Sequence, residues 1–347
     1  MIQVSGYAAQ QVRAPLAPYT FARREPRDYD VMIDIQYCGI CHTDIHQIRN
    51  EWGASNYPMV PGHEITGVVR AVGNKATHYK IGDKVAVGCF VDSCRKCGPC
   101  SQGLEQYCVE GPTMTYNSLE KDGHTTTQGG YSDKIVVDEN YVLRLPDNID
   151  VDRAAPLLCA GITMYSPLMH WEAGPGKRVG IIGLGGLGHM GVKIAHALGA
   201  EVTVLSHSLR KQEDGKRMGA NHYYATSDPE TFEALDGCFN LLISTLSIES
   251  DWDNYLNLLQ LDGTMVVVGN SGKKSPVSPS TLIGGRRNLA GSVIGGIKET
   301  QEMLDFCSKH NIASDIEVIP IQKVNEAFER VINSDVRYRF VIDMKSL

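Results

Sequence analysis

Residues 178–190 read RVGIIGLGGLGHM: an apolar run, then Gly183, Gly185 and Gly188, then a stretch with helical spacing through His189, Lys193 and His196. The order is strand, glycine turn, helix. Glycine permits the tight turn and lets backbone N–H groups approach a pyrophosphate, whose charge the following helix N-terminus favours. The loop formed by Gly183, Leu184, Gly185, Gly186, Leu187 and Gly188 therefore reads as a dinucleotide cradle. Outward from it, EVTVLS, a charged helical stretch, NLLISTL, another helical stretch and TMVVVG alternate as a parallel α/β sheet does.

Before residue 150 the grammar differs. VMIDIQY, EITGVVRAVGN, YKIGDKVAVG and YSDKIVVDENYVLRLP are short β-rich runs broken by Gly-Asp and Gly-Asn turns, which predicts an irregular, mostly antiparallel β domain. A tail from about residue 292 carries a helix at IKETQEMLDFCSKH, a strand at IEVIPI, a helix at KVNEAFERVINS and a strand at YRFVIDM. Its pattern alone closes either domain.

A chain of 347 residues has room for two domains. With 42% hydrophobic and 21% charged residues it is neither disordered, collagen-like nor a coiled coil. Its 33 basic against 40 acidic side chains, a net charge of -7, argue against a broad nucleic-acid or anionic-membrane surface. The uncharged run over 154–171 contains Pro156 and Pro167, so no membrane helix is expected there. The N-terminus lacks a basic start with a continuous apolar core, and ten Cys are too sparse for a disulfide scaffold. A reducing, cytoplasmic setting is the expectation.

In an NAD site an Asp or Glu about 20 residues past the glycine loop accepts from the adenosine ribose. Here the second strand ends at Ser206, while Glu201 stands at its beginning. Ser206, Ser208, Arg210 and Lys211 offer hydroxyls and cations suited to a 2'-phosphate, hence NADPH. The competing reading of Arg210 and Lys211 is the start of a solvated helix.

Two metal signals lie in the first domain. Cys94, Cys97, Cys100 and Cys108, spaced C-x2-C-x2-C-x7-C, let one loop wrap four thiolates around Zn2+ at about 2.3 Å in a closed, structural site. An iron–sulfur cluster is the rival occupant. CGICHTDIH (38–46) and PGHE (61–64) offer the Cys41 thiolate and the His63 imidazole for a catalytic zinc, which needs a third ligand and an open position. Spacing leaves that third ligand open among Cys38, Cys89, Cys159, Cys238 and Cys307.

These stretches, with NEWG (50–53), YPMVPGHEITGVV (57–69), PLLCAGITMYSPL (156–168) and YRFVID (338–343), resemble the zinc-containing medium-chain alcohol dehydrogenases, in particular the cinnamyl alcohol dehydrogenase-like aldehyde reductases. The resemblance spans the whole chain. It implies a GroES-like catalytic domain over 1–152 and 292–347 with two zinc sites, a Rossmann cofactor domain over 153–291, and a cleft between them. It implies Cys159 as the third catalytic zinc ligand beside Cys41 and His63, and Glu64 as an alternating ligand. Asp44 then orients the zinc-binding His, and Thr43 with His46 forms a proton relay. For NADP(H) the resemblance implies contacts from His42, Thr163, the Gly183–Gly188 loop, Ser206, His207, Ser208, Arg210, Lys211, Thr245, Gly269, Ser292, Val293, Ile294 and Arg339. Trp52 is implied to line the substrate pocket, with Tyr57 and Met114 as further candidates. The implied reaction is reversible hydride transfer between NADPH and aromatic or aliphatic aldehydes, with a small-molecule substrate and a homodimer. The alternatives are an NAD-dependent polyol dehydrogenase and a non-enzymatic zinc-ribbon-like binding module built on residues 94–108. The segment 113–130, TMTYNSLEKDGHTTTQGG, carries no interpretable motif.

Overall fold

The computed structural model describes residues 1–270 and 272–347. The chain forms two compact units, Met1–Ile162 with Gly295–Leu347, and Thr163–Ile294.

In the first unit a seven-stranded sheet runs in the order Ile316–Pro320, Arg339–Asp343, Asp30–Gly39, Ile65–Val72, Lys84–Val87, Leu143–Arg144, and Lys134–Asp138 also pairs with Asp30–Gly39. All neighbours are antiparallel except the pair formed by Ile316–Pro320 and Arg339–Asp343. Val31, Ile33, Ile65, Val85, Ile135 and Val341 are almost fully withdrawn from water. Each such side chain contributes about 1.5–3 kcal/mol through burial. The tail belongs to this unit: Val324–Ile332 buries Val324, Ala327, Phe328 and Val331, the single face that helical spacing dictates.

The two compact units divide after Ile162 and after Ile294, where the sequence pattern placed the breaks after residues 152 and 291. The reason is local bonding: Arg153 Nε donates to Ser314 O at 3.1 Å and Cys89 Sγ to Leu158 O at 3.6 Å. Residues 153–162 are thereby held on the first unit.

The second unit is a six-stranded parallel sheet ordered His222–Ala225, Glu201–Ser206, Arg178–Ile182, Phe239–Ser244, Leu259–Val267, Asn288–Gly291. Numbered within the unit this is 3-2-1-4-5-6, the doubly wound order in which nucleotides bind beyond the carboxyl ends of the strands. Ile182, Leu205, Leu242, Leu259 and Met265 form part of its dry core. Among the described residues no helix is long and apolar enough to cross a membrane.

Candidate active site

Register places the first cluster. Cys38 faces Ile65 on one neighbour, and Ile342 on the other. Just past that point Gly39 N–H donates to Glu64 O and Ile40 N–H to Phe340 O, each at 2.9 Å. Three sheet ends therefore bring Cys41, His63, Glu64 and Arg339 together. A side chain at 39 would meet Glu64 Oε2 at 1.9 Å, so glycine is what leaves room for the carboxylate. Cys159 enters from the turn between Ala155–Leu158 and Ala160–His170, setting its Sγ 3.8 Å from that of Cys41.

The ligand atoms of Cys41, His63, Glu64 and Cys159 all lie within 4.8 Å of one another, and all four residues are buried. Two thiols, an imidazole and a carboxylate suit Zn2+. The Cys41 thiol is pulled well down, first by the hydrogen bond from Cys159, then by His63 and Arg339 against the effect of burial. Glu64 is pushed up to about 7 by burial, opposed by the Arg339 guanidinium with which it pairs. Glu64 Oε2 has no hydrogen-bond partner among the described residues, an orphaned buried oxygen that a cation would satisfy.

Asp44 is wholly buried and accepts four hydrogen bonds. Its Oδ1 takes Gly62 N–H and His63 Nδ1–H, each at 3.1 Å. Its Oδ2 takes Cys41 N–H at 2.9 Å and Tyr131 O–H at 3.1 Å. Its bond to Nδ1 leaves His63 Nε2 as the nitrogen that faces the thiols. Burial alone would lower the His63 pKa, and the Asp44 charge, together with Cys89 and the hydrogen bonds to Asp44 and Cys41, outweighs it and raises it.

The helix His42–Ile48 starts at Cys41 and carries the expected relay. His42 is exposed and Thr43 half-buried. His46 Nδ1 lies 2.5 Å from Glu51 Oε2, and its ring stacks on Trp52 at 4.9 Å. Glu51 is a functional candidate that residue spacing did not flag; its signal was only a carboxylate five residues past a relay His. Trp52 is 43% exposed, and Met114 is exposed at the end of a two-residue strand. Tyr57 O–H instead donates to Ile48 O at 2.7 Å, closing the helix end, so its polar atom serves the helix.

The second cysteine cluster is separate. Sγ atoms of Cys94, Cys97, Cys100 and Cys108 lie within 4.8 Å, with Cys94 and Cys100 3.8 Å apart. Backbone N–H groups point at sulfur: Cys97 N–H to Cys94 Sγ at 3.3 Å and Cys94 N–H to Cys108 Sγ at 3.4 Å. Donors from Val109 and Cys100 lower the Cys97 thiol to about 6. Four sulfurs on one short loop leave no open position for a substrate.

In the second unit the cofactor candidates gather beyond strand ends. Gly183 has φ +93°, and a side chain on Gly188 would meet Gly183 O at 1.9 Å, so both need glycine. Thr245 Oγ1 donates to Ile182 O at 2.8 Å, and Gly269 packs against Leu246 O, which a Cβ would meet at 2.3 Å. Ser206 ends its strand, with His207 and Ser208 exposed beyond it, and Ser292, Val293 and Ile294 follow Asn288–Gly291. Lys211 Nζ donates to Leu184 O at 3.1 Å, across the glycine loop, whereas Arg210 is exposed. Glu201 sits at the opposite strand end, 3.0 Å from His222. Thr163 is buried at the start of the unit.

Arg339 is 6% exposed in the first unit, its guanidinium paired with Glu64, because the Arg339–Asp343 strand runs beside Gly39.

Two family models match, one described as the alcohol dehydrogenase GroES-like domain over residues 27–147, the other as zinc-binding dehydrogenase over 186–309. The NADP-dependent alcohol dehydrogenase C 1 of Mycolicibacterium smegmatis is 59% identical over 348 residues, covering 100% of this chain and 99% of its own. The chain is a zinc-binding alcohol dehydrogenase. Among solved structures, this dehydrogenase superposes on a cinnamyl alcohol dehydrogenase from Sorghum bicolor with TM-score 0.96 and 44% identity, covering 99% of this chain and 98% of that one. A second, from Helicobacter pylori in complex with NADP(H), gives TM-score 0.93 and 42% identity with 99% of each chain covered.

Proposed function

We propose that this dehydrogenase reduces aldehydes to primary alcohols with NADPH, reversibly, at a zinc ion held by Cys41, His63 and Cys159 with Glu64 as an exchangeable partner. The observation that carries this reading is the buried set of two thiols, one imidazole and one carboxylate within 4.8 Å. Bound groups supply the Lewis acid at a carbonyl oxygen and the hydride, respectively zinc and NADPH. The chain's residues supply the rest. Asp44 holds His63 in one tautomer through Nδ1. Thr43 passes a proton between the substrate oxygen and His46, and Glu51 keeps His46 oriented. Trp52, stacked on His46, lines the substrate's apolar end. Ser206, Ser208 and Arg210 receive the 2'-phosphate, the carboxylate of an NAD site being absent at that strand end. The Cys94, Cys97, Cys100 and Cys108 loop holds a second, structural zinc.

Ten free cysteines support a reducing, cytoplasmic setting. The strand Asn288–Gly291, last in its sheet among the described residues and with Leu289 40% exposed, supports a homodimer. Steady-state rates with aliphatic and aromatic aldehydes and both cofactors test the reading. NADPH is expected to exceed NADH in kcat/KM by at least about tenfold, a difference near 1.4 kcal/mol. Equal or better use of NADH overturns the cofactor assignment.

A further inference from the structure

The segment that carried no motif ends against the metal cluster. Gly129 N–H donates to Val60 O at 2.7 Å, Gly130 N–H to Gly62 O at 2.9 Å and Tyr131 N–H to Pro61 O at 2.9 Å. Gln128 adds two side-chain bonds, accepting from Val60 N–H at 2.6 Å and donating to Pro58 O at 3.1 Å. Residues 128–131 are thus laced along 58–62, the backbone that leads into His63. The approach is close enough to demand glycine: a Cβ at 129 would meet Gly62 O and Pro61 O at 2.4 Å, and one at 130 would meet Ile65 at 2.4 Å. From outside, Arg23 Nη2 braces the same turn, donating to Gln128 O at 2.9 Å, Gly129 O at 3.0 Å and Ser132 Oγ at 3.1 Å.

At the end of this strap stands Tyr131, with 0% exposure, its ring 6.4 Å from that of Phe328 and its hydroxyl on Asp44. Asp44 has two donors on each oxygen. Besides His63 itself, Tyr131 is the one side chain among those four donors; the other two are backbone N–H groups of Cys41 and Gly62. The carboxylate cannot rotate toward or away from His63 without breaking a bond to Tyr131 or Cys41. Tyr116 of the same segment packs its ring 5.9 Å from that of His63 on another side.

We propose that Tyr131 is a positioning residue for the catalytic zinc: its hydroxyl fixes the Asp44 carboxylate, which fixes the His63 imidazole, and the glycine strap over 128–131 exists to deliver it. This rests on the metal reading of the Cys41, His63, Glu64 and Cys159 cluster. Tyr131→Phe keeps the ring, so packing survives while the donor is lost.

The test is zinc release to an excess chelator, followed with a metallochromic dye, for the holoenzyme and its variants. In the wild type one phase belongs to each zinc site, and Cys159→Ala identifies the catalytic phase by removing it. Tyr131→Phe is expected to speed that phase about tenfold, the low end for partners of a metal-binding His, and to leave the four-cysteine phase unchanged. In an Asp44→Asn background, Tyr131→Phe is expected to add less than about twofold, because residues acting through one another are not additive. The visible d–d bands of cobalt(II)-loaded protein should shift in Tyr131→Phe and not further in the double variant. Unchanged release in Tyr131→Phe, or equal acceleration in both backgrounds, overturns the proposal. Both phases intact in Cys159→Ala overturns the underlying metal reading instead.

Discussion

Glu51 makes the sharpest mechanistic claim of any single residue. Its carboxylate lies 2.5 Å from His46 Nδ1 and sets the ring's orientation, with Trp52 stacked on one face. Glu51→Gln keeps a hydrogen bond but removes the charge, and should lower kcat about tenfold with NADPH affinity unchanged. A stopped-flow or steady-state kcat equal to that of the wild type would remove Glu51 from the relay. At this scale the sequence is read unevenly. Cys41 and His63 stand in short motifs whose residue types announce a metal. Cys159 lies 118 residues from Cys41, and spacing left five cysteines chemically equivalent; only the family resemblance pointed to Cys159, whose Sγ the fold sets 3.8 Å from that of Cys41. Glu51 and Tyr131 act through contacts made by a turn and a strap, which no residue spacing encodes. The pairing of Arg339 with Glu64 was illegible for the same reason: it is set by the register of Arg339–Asp343 on Asp30–Gly39.

Elements divide the work between cofactor discrimination and loop support. Arg210 and Lys211 are adjacent and both cationic, yet the short helical turn Leu209–Lys211 sends Lys211 Nζ back to Leu184 O and leaves Arg210 exposed. Lys211→Ala should therefore weaken NADPH and NADH binding alike, by up to about tenfold, as loss of one charge-assisted bond implies. Arg210→Ala should weaken NADPH alone. Equilibrium fluorescence titration separates the two, and parallel losses of both cofactors in Arg210→Ala would count against the 2'-phosphate assignment. The four-cysteine loop makes a different prediction: Cys100→Ala should lower the melting temperature and zinc content while the protein that stays folded keeps its kcat. A loss of kcat without a loss of stability would contradict a structural role. Strand, glycine turn and helix around Gly183 were legible because periodicity and glycine placement are local properties. The strap over 128–131 was not, since its glycines answer to backbone oxygens at 61 and 62.

For the molecule as a whole, the β-rich and α/β halves followed from pattern alone, while the boundary did not. Residues 153–162 look like the opening of the α/β half in sequence, but hydrogen bonds through Cys89 and Arg153 hold them on the first unit. That placement matters for function, because it puts Cys159 on the same unit as Cys41 and His63. The Cys41, His63, Glu64 and Cys159 cluster is thus assembled within one unit, and the glycine loop, Ser206 and Arg210 belong to the other. The central claim is that this cluster holds the zinc on which aldehyde reduction depends. Its most direct test is NADPH oxidation by an aldehyde in folded Cys159→Ala, with NADPH binding measured on the same sample. Turnover should be lost with cofactor affinity kept, whereas wild-type turnover in that variant would contradict the account.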